Sequence, residues 1–95
     1  MKKYEVGYIL KPNLSDEQVS KITNTFYTIF ANNSSNVISS KEVGLKDLAY
    51  EIQHFSKGYY VWLVVEATSE AIKEFNRVVV ITEDVIRFIV IDEEK

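Results

Sequence analysis

The side chains of this sequence that are candidates for binding or reaction are mainly basic and aromatic, and it has few of the cysteine and histidine residues that often catalyse reactions. The 95 residues include no cysteine and one histidine, His54. The missing cysteines exclude disulfides, thiol nucleophiles and cysteine-ligated metals, and a lone histidine excludes histidine-rich metal sites. No acid–base partner for His54 is evident near it in the sequence, so we expect it to cap or decorate the loop before the third strand. We therefore expect no catalytic residue, no metal and no cofactor.

Aromatic and β-branched residues are densest in KGYYVWLVVE at residues 57–66, which contains Trp62, the only tryptophan. Such residues favour a pleated surface, so this stretch predicts a central strand entered from a turn at residues 56–58. Its start matches the first three places of the RNA-recognition signature. Tyr60 stands where that signature needs glycine or alanine, and Val61 stands where it needs a stacking aromatic. Base stacking on this strand is therefore not expected.

The net charge of −3 and the pI near 5.1 argue against a protein that attracts nucleic acid over its whole surface. Any contact with nucleic acid must therefore be local. The N-terminal residues lack the continuous apolar core of a signal peptide, and no apolar run approaches the roughly twenty residues of a membrane helix. We expect a cytoplasmic protein with no membrane association.

Hydrophobic periodicity predicts six elements. Alternation marks the strands, and apolar residues at spacings of three and four mark the helices. Ser15 and Gln18 form a capping box before the first helix, and Gly44 indicates an irregularity inside the second strand. The predicted elements are a strand at 3–10, a helix from about 16, a strand at 37–52, a hairpin loop at 53–58, a strand at 57–66, a helix capped at 68 or 69, and a strand at 85–91.

This order, β-α-β-β-α-β, is typical of the ferredoxin-like or split-βαβ fold of the α+β class. Right-handed crossovers place both helices on one face of a four-stranded antiparallel sheet, with strands one and three in the centre. The length predicts a single domain over residues 1–95, ending in a short acidic tail at 92–95. We assign that tail to solubility, because an unstructured end gives no fixed coordination geometry.

The other face of this sheet has no predicted element to cover it. Side chains alternate along a strand, so helices that cover Val61 and Leu63 leave Tyr60 and Trp62 on the opposite side. Single exposed hydrophobic residues are ordinary, but a contiguous patch of roughly several hundred Å² usually signals a partner surface. The predicted partner-protein patch consists of Ile9, Tyr60, Trp62, Val64, Ile89 and Ile91.

Four segments carry a resemblance to a known family: KKYE at 2–5, LKPNL at 10–14, GLKDLAYEI at 44–52 and KGYY at 57–60. In this order and spacing, they are similar to segments of the bacterial small-subunit ribosomal protein S6 family. The resemblance covers the whole chain, and it agrees with the fold predicted from periodicity.

The resemblance implies a structural, non-enzymatic protein of the ribosome that forms a heterodimer with ribosomal protein S18 and binds the central domain of small-subunit ribosomal RNA. A few well-placed cations can neutralise phosphates even on an acidic protein. Asp47 departs from the family pattern, which usually has a second basic residue there, and the longer tail of many relatives is missing. We expect weaker or differently distributed binding at these edges. The RNA-binding positions that the resemblance implies are Lys2, Lys3, Tyr4, Lys46 and Arg87.

Two other functions are compatible with the same fold, because fold alone does not decide function. An acylphosphatase-like hydrolase would need a glycine-rich loop with an arginine after the first strand, whereas residues 11–15 are KPNLS. A regulatory small-molecule-binding domain would pair its uncovered sheet face with a second copy, and the patch around Tyr60 and Trp62 permits this. The lysines are also compatible with a purely solubilising role.

Overall fold

Residues 1–93 are described in a computed structural model, and they form four strands and two helices in the predicted order. These are β1 (Lys2–Leu10), α1 (Asp16–Asn32), β2 (Asn36–Ile52), β3 (Phe55–Ala67), α2 (Ser69–Ile81) and β4 (Val85–Asp92). The strands pair antiparallel in the order β2, β3, β1, β4, which makes β1 and β3 central and confirms the ferredoxin-like fold. Neither α1 nor α2, within residues 1–93, has the length and hydrophobicity of a membrane-spanning helix.

Both helices begin at side-chain caps. Ser15 Oγ accepts a hydrogen bond from the Gln18 backbone N–H at 3.2 Å, and the Gln18 side chain accepts one from the Ser15 N–H at 2.9 Å. The predicted capping box is therefore confirmed. Thr68 caps α2 in the simpler way, by accepting from the Ala71 N–H at 3.1 Å. These bonds satisfy backbone donors that have no partner inside the helix.

One face of the sheet and the two helices enclose the hydrophobic core. Phe75 of α2 is fully buried, and its ring centroid lies 5.1 Å from that of Phe26 and 5.6 Å from that of Phe30. The Tyr8 hydroxyl lies 3.2 Å from Thr23 Oγ1 inside this core. Burial raises the pKa of Tyr8 to about 12, against the smaller opposing effect of that hydrogen bond. The sheet contributes Val6, Leu10, Val61, Leu63 and Val65 to the core.

The hairpin between β2 and β3 is tighter than the predicted loop. Gln53 and His54 both have positive φ, at 51° and 70°, and Ile52 pairs with Phe55. A two-residue turn with φ positive at both positions matches the twist of the flanking strands. The loop predicted at 53–58 is therefore wrong, because β3 begins at Phe55, although His54 does lie in the connection.

Several register shifts shape the sheet, and two of them affect the placement of the core and of the open strand face. The β2–β3 register shifts next to Gly44, which has a φ of +96°, so the predicted irregularity is confirmed. A second shift, between Ile9 and Leu10, puts Val85 opposite Leu10. Val85 packs against the core in the place that simple alternation would give to Ile86, which is buried but lies outside the main cluster.

The first two residues of the predicted acidic tail, Asp92 and Glu93, are joined to β1. Asp92 belongs to β4, where it pairs with Tyr4 and forms an ion pair of 3.4 Å with Lys2. The backbone N–H of Glu93 also donates to the carbonyl of Lys3 at 3.0 Å. The start of β1 thus extends the pairing of β4 beyond Ile91. Residues 94 and 95 of the predicted tail lie outside the described residues.

Candidate functional site

The face of the sheet away from the helices, here called the open face, brings together all six residues of the predicted partner patch. Directly opposite residues of antiparallel strands point to the same side of a sheet. The register therefore forms three rows of side chains across β4, β1, β3 and β2. The rows are Ile91, Glu5, Val64 and Ser39; Ile89, Gly7, Trp62 and Lys41; and Arg87, Ile9, Tyr60 and Gly44.

Trp62 lies against β1 in the middle row. A Cβ atom at Gly7 would be 2.2 Å from Trp62 Cζ3, so the absence of a side chain at Gly7 makes room for the indole. The indole Nε1 donates a hydrogen bond to Glu5 Oε1 at 3.1 Å. These two neighbours hold the ring on β1 and make it part of the sheet surface.

Beyond the end of β1, the hairpin of β2 and β3 continues as a two-stranded extension, and we call its residues 48–55 the arm. The Tyr50 hydroxyl, at the arm, accepts a hydrogen bond of 2.9 Å from Arg87 Nη1 on β4. The arm and the sheet enclose a groove of about 310 Å³, lined by Leu48 and Ile52 on one side and by Trp62 on the other. The expectation that no element covers this face is therefore wrong at the arm end, because β2 and β3 extend beyond the end of β1.

Close contacts hold the base of the arm. A Cβ atom at Gly58 would lie 2.3 Å from Ile9 Cγ2 and 3.4 Å from Leu48 Cδ2, so Gly58 lets the sheet and the arm approach each other. On neighbouring residues, the Tyr59 hydroxyl donates to Glu42 Oε2 at 3.2 Å. Burial and the negative charge of Glu42 raise the pKa of Tyr59. Gly58 thus lets Leu48 of the arm approach the sheet, and the hydrogen bond between Tyr59 and Glu42 joins β3 to β2 next to the arm.

Exposure of the patch is uneven. Ile89 and Ile91 on the edge strand β4 are 50% and 39% exposed, whereas Tyr60, Trp62 and Val64 on the central strand are half-buried. The difference arises because the arm and the packing of the indole cover part of the middle of the sheet. The most accessible apolar surface of the open face therefore follows β4.

The predicted RNA-binding residues separate into two groups at opposite ends of β1. Lys2, Lys3 and Tyr4 lie at its start, where Lys2 pairs with Asp92 and Lys3 lies opposite Glu66. Tyr4 points to the helix side and packs against the core. This end thus carries acidic side chains beside its lysines, and its tyrosine belongs to the other face.

Arg87 and Lys46 lie at the other end, about 20 Å away at roughly 3.3 Å per residue along the strand. Arg87 is exposed and lies opposite Ile9 near the end of β1, and Lys46 is exposed opposite Gly58. Asp47, which departs from the family pattern, faces Lys57 at 3.9 Å. The five predicted residues therefore do not form one site.

Lys41 is a cation of the open face that was not among the residues predicted from the sequence. It is exposed and lies opposite Trp62 in the middle row. Simple alternation would have been a weak guide, because β2 changes register on both sides of this position, near residues 37–39 and 42–44. The pairing of β2 with β3 was needed to place Lys41 on this face.

The open face brings together side chains that are suited to binding. Across residues 1–93, no cluster of three or more His, Cys, Asp or Glu side chains is placed to hold a metal ion. The face instead offers cations at its edges and exposed isoleucines on β4. Such an arrangement can bind phosphates through the cations and an apolar protein surface through the isoleucines.

Comparisons of the sequence with known proteins agree on one family. The family model for ribosomal protein S6 matches residues 3–92. The small ribosomal subunit protein bS6 of Phytoplasma mali is 55% identical over 94 residues, covering 99% of this chain and 100% of that protein. The protein of the same name from Phytoplasma australiense is 52% identical over 93 residues, covering 98% of this chain and 100% of its own length.

A solved structure supports the fold. The 30S ribosomal protein S6 of Thermotoga maritima superposes with a TM-score of 0.92 and covers 98% of this chain and 88% of its own. The two sequences are only 20% identical. The arrangement of strands and helices is therefore shared even though most side chains differ.

Proposed function

Because this chain belongs to the ribosomal protein S6 family, we propose that it binds the central domain of small-subunit ribosomal RNA together with ribosomal protein S18. The family match, which spans nearly the whole chain, carries this proposal. Members of the family are structural proteins of the small ribosomal subunit rather than enzymes, and the cytoplasmic ribosome is where such a protein works.

The β4 side of the open face supports a protein partner. Ile89 and Ile91 are exposed there beside the half-buried Val64 and Trp62. Exposed apolar residues grouped on one surface favour a protein neighbour over RNA, because burial of apolar area stabilises association. We assign this surface to the S18 partner.

The arm end of the sheet supports the RNA contact. Arg87 presents a planar guanidinium, which can bind a phosphate with two hydrogen bonds. Lys46, near the base of the arm, adds an exposed positive charge at the same end. Lys2 and Lys3 have Asp92 and Glu66 as neighbours, so we expect them to contribute less. Tyr4 is expected to support the core rather than RNA.

Reconstitution from purified components tests the proposal. The chain, S18 and a central-domain RNA fragment are mixed at low salt, and we expect a ternary complex whose affinity falls as salt rises. Failure to form that complex at low salt would overturn the proposal.

Variants test the residue assignments. Arg87→Gln and Lys46→Gln should each weaken RNA binding and reduce the salt slope by about 1, whereas Lys21→Gln on α1 should change neither. Ile89→Asp should weaken S18 binding by at least about tenfold, because a charge would be buried in an apolar interface. Val80→Asp, at an exposed apolar site on α2, is the matched control and should leave S18 binding unchanged.

A further inference from the structure

Glu5 places a carboxylate among apolar side chains of the open face. In the register it lies directly between Ile91 of β4 and Val64 of β3. Directly opposite residues of antiparallel strands point to the same side, so all three side chains face away from the helices. Glu5 is half-buried, as Val64 is, whereas Glu66 on the same face is exposed. The negative charge of Glu5 is thus part of the surface assigned above to the partner.

Inside the chain, the Glu5 side chain accepts a hydrogen bond from Trp62. Oε1 accepts from the indole Nε1 at 3.1 Å, which directs the carboxylate toward β3. An indole N–H needs an acceptor but not a charge, so a neutral amide oxygen would also satisfy it. An ionised carboxylate has further acceptor sites after it makes one such bond. The bond to Trp62 therefore accounts for neither the charge of Glu5 nor its second oxygen.

No cation within residues 1–93 forms an ion pair with Glu5. The ion pairs of this part of the chain join other side chains. Lys3 lies two residues away on the same face, but it is opposite Glu66. Lys41 lies opposite Trp62, on the far side of β3. In the isolated chain, water must therefore solvate the charge of Glu5.

A protein that docks on this surface removes that water. An interface that buries Ile91 and Val64 also covers Glu5, because Glu5 lies between them. A carboxylate that is taken out of water without a cation beside it strongly opposes association. The same charge repels phosphates, so RNA is a poor occupant of this part of the face. The occupant must therefore supply a positive charge at Glu5.

We propose that the S18 partner binds this surface with a lysine or arginine side chain that pairs with Glu5. The bond from Trp62 occupies Oε1, which leaves Oε2 to accept from the partner's cation. Hydrogen bonds between charged groups are strong and depend on geometry, so a carboxylate held in place favours a partner with a cation at one position. Glu5 thus gives specificity, while Ile89 and Ile91 contribute apolar area. This inference rests on the proposed function and adds the residue that recognises the charge of the partner.

Glu5→Gln tests the charge and keeps the acceptor. The amide has nearly the shape of the carboxylate, and its oxygen can still accept from the indole. S18 affinity should fall by about tenfold or more, because the partner's cation would lose its carboxylate inside the interface. Glu17→Gln is the matched control, since it removes the same charge from an exposed site on α1. Its effect should be less than about twofold. Equal effects of the two substitutions would overturn the proposal.

Salt separates a paired charge from general attraction between the two proteins. At about 1 M salt the Debye length is about 3 Å, so distant charges no longer contribute, whereas a buried pair is screened much less. The loss of affinity in Glu5→Gln, relative to the wild type, should therefore persist at about 1 M salt. Disappearance of the loss would overturn the proposal, because the charge would then act only at long range.

A double-mutant cycle identifies the cation of the partner. Each lysine and arginine of S18 is replaced by glutamine in turn, and binding is measured to the wild-type chain and to Glu5→Gln. At one position, the substitution should weaken binding to the wild-type chain by about tenfold but have little further effect on binding to Glu5→Gln. If every S18 variant lowers both affinities by the same factor, no cation pairs with Glu5 and the proposal is overturned.

A Trp62→Phe background distinguishes the charge of Glu5 from its support of the indole. Phenylalanine keeps an aromatic ring and has no N–H donor, so Glu5 no longer has a hydrogen bond to Trp62 to maintain. Glu5→Gln should still weaken S18 binding by about tenfold in this background. Absence of an effect there would overturn the proposal, because the carboxylate would then act only by holding the indole.

The outcomes separate this inference from the proposed function. If S18 binds the wild-type chain and Glu5→Gln equally well, the pairing at Glu5 is overturned and the proposed function stands. If S18 does not bind the wild-type chain at low salt, the proposed function falls and the pairing falls with it.

Discussion

The same strands form the helix-covered face and the open face of the sheet, but the side chains on the two faces differ in how far they are buried. On the helix side, Tyr8 and Phe75 are almost completely buried, and the Tyr8 hydroxyl has Thr23 as a hydrogen-bonding partner. On the open side, the arm covers part of the surface and Ile89 and Ile91 stay exposed on β4. Alternation along a strand thus divides the sheet into a face that stabilises the fold and a face that is available for binding.

The charged groups follow the same division. The helix-side core holds a neutral polar pair, whereas the open face and its edges hold Arg87, Lys41 and Lys46 as exposed cations. Charged groups are costly to bury without a partner, so they remain at the surface. The comparison predicts that substitutions on the helix side change stability, while those on the open side mainly change binding.

The largest expected effect is the loss of a central core ring. Phe75→Ala should lower the free energy of unfolding by about 3–5 kcal/mol, because it removes a buried aromatic side chain and leaves a cavity. Ile89→Ala, at a half-exposed site of the open face, should cost less than about 1 kcal/mol. Urea denaturation measures both, and equal costs would break the distinction between the faces.

The next effect is a loss of stability in alkaline solution. The pKa of Tyr8 is about 12 in the folded chain and 10.0 when unperturbed. The stability that this pKa difference contributes is fully present below pH 10 and is lost as the pH rises towards 12. The reason is that the Tyr8 hydroxyl ionises at lower pH in the unfolded chain than in the folded chain. Two pKa units correspond to about 2–3 kcal/mol. Urea denaturation from pH 9 to 12 should show a smaller loss for Tyr8→Phe than for the wild type, and parallel profiles would contradict the assignment.

Gly7→Ala tests how closely side chains pack on the open face. The new methyl group would meet the Trp62 ring at 2.2 Å, so the indole must move. We expect a cost of about 1–2 kcal/mol, typical of overpacking, together with a shift in tryptophan fluorescence. In a Trp62→Leu background the same substitution should cost clearly less. An unchanged cost would mean that the backbone of β1, rather than the indole, resists the methyl group.

The smallest expected effect is at the start of β1. Lys2→Gln breaks an ion pair of 3.4 Å with Asp92, but the Lys2 side chain is 61% exposed. Exposed ion pairs contribute little, so the free energy of unfolding should change by less than about 0.5 kcal/mol. Thermal unfolding of the Lys2→Gln variant, with Lys21→Gln on α1 as the control, measures this change. A loss above about 1 kcal/mol would show that the ends of β1 and β4 depend on this pair.

Local patterns predicted much of this architecture. The capping box at Ser15 placed the start of α1, because both of its hydrogen bonds join residues only three apart. Alternation assigned Val61 and Leu63 to the core and Tyr60 to the opposite side, and the register confirms those assignments. Each of these predictions depends on neighbours in sequence, which is why it could be made without the tertiary structure.

The hairpin turn was less predictable. Gln53 and His54 adopt positive φ without the asparagine or glycine that usually indicates such a turn. Pairing of Ile52 with Phe55 imposes the turn here. Extension of β4 to Asp92 has a similar cause, because the partner strand β1 supplies the hydrogen bonds.

The order of the elements, the apolar stripe of each helix and the alternation that separates the two sheet faces depend on side-chain periodicity, so they can be predicted from the amino-acid sequence. The relative positions of the basic residues and the extent to which the open face is covered depend on tertiary contacts. Those features join residues far apart in the chain, such as Tyr50 and Arg87, whose contact exists because β2 and β3 extend past β1. Local patterns carry no information on contacts of that range.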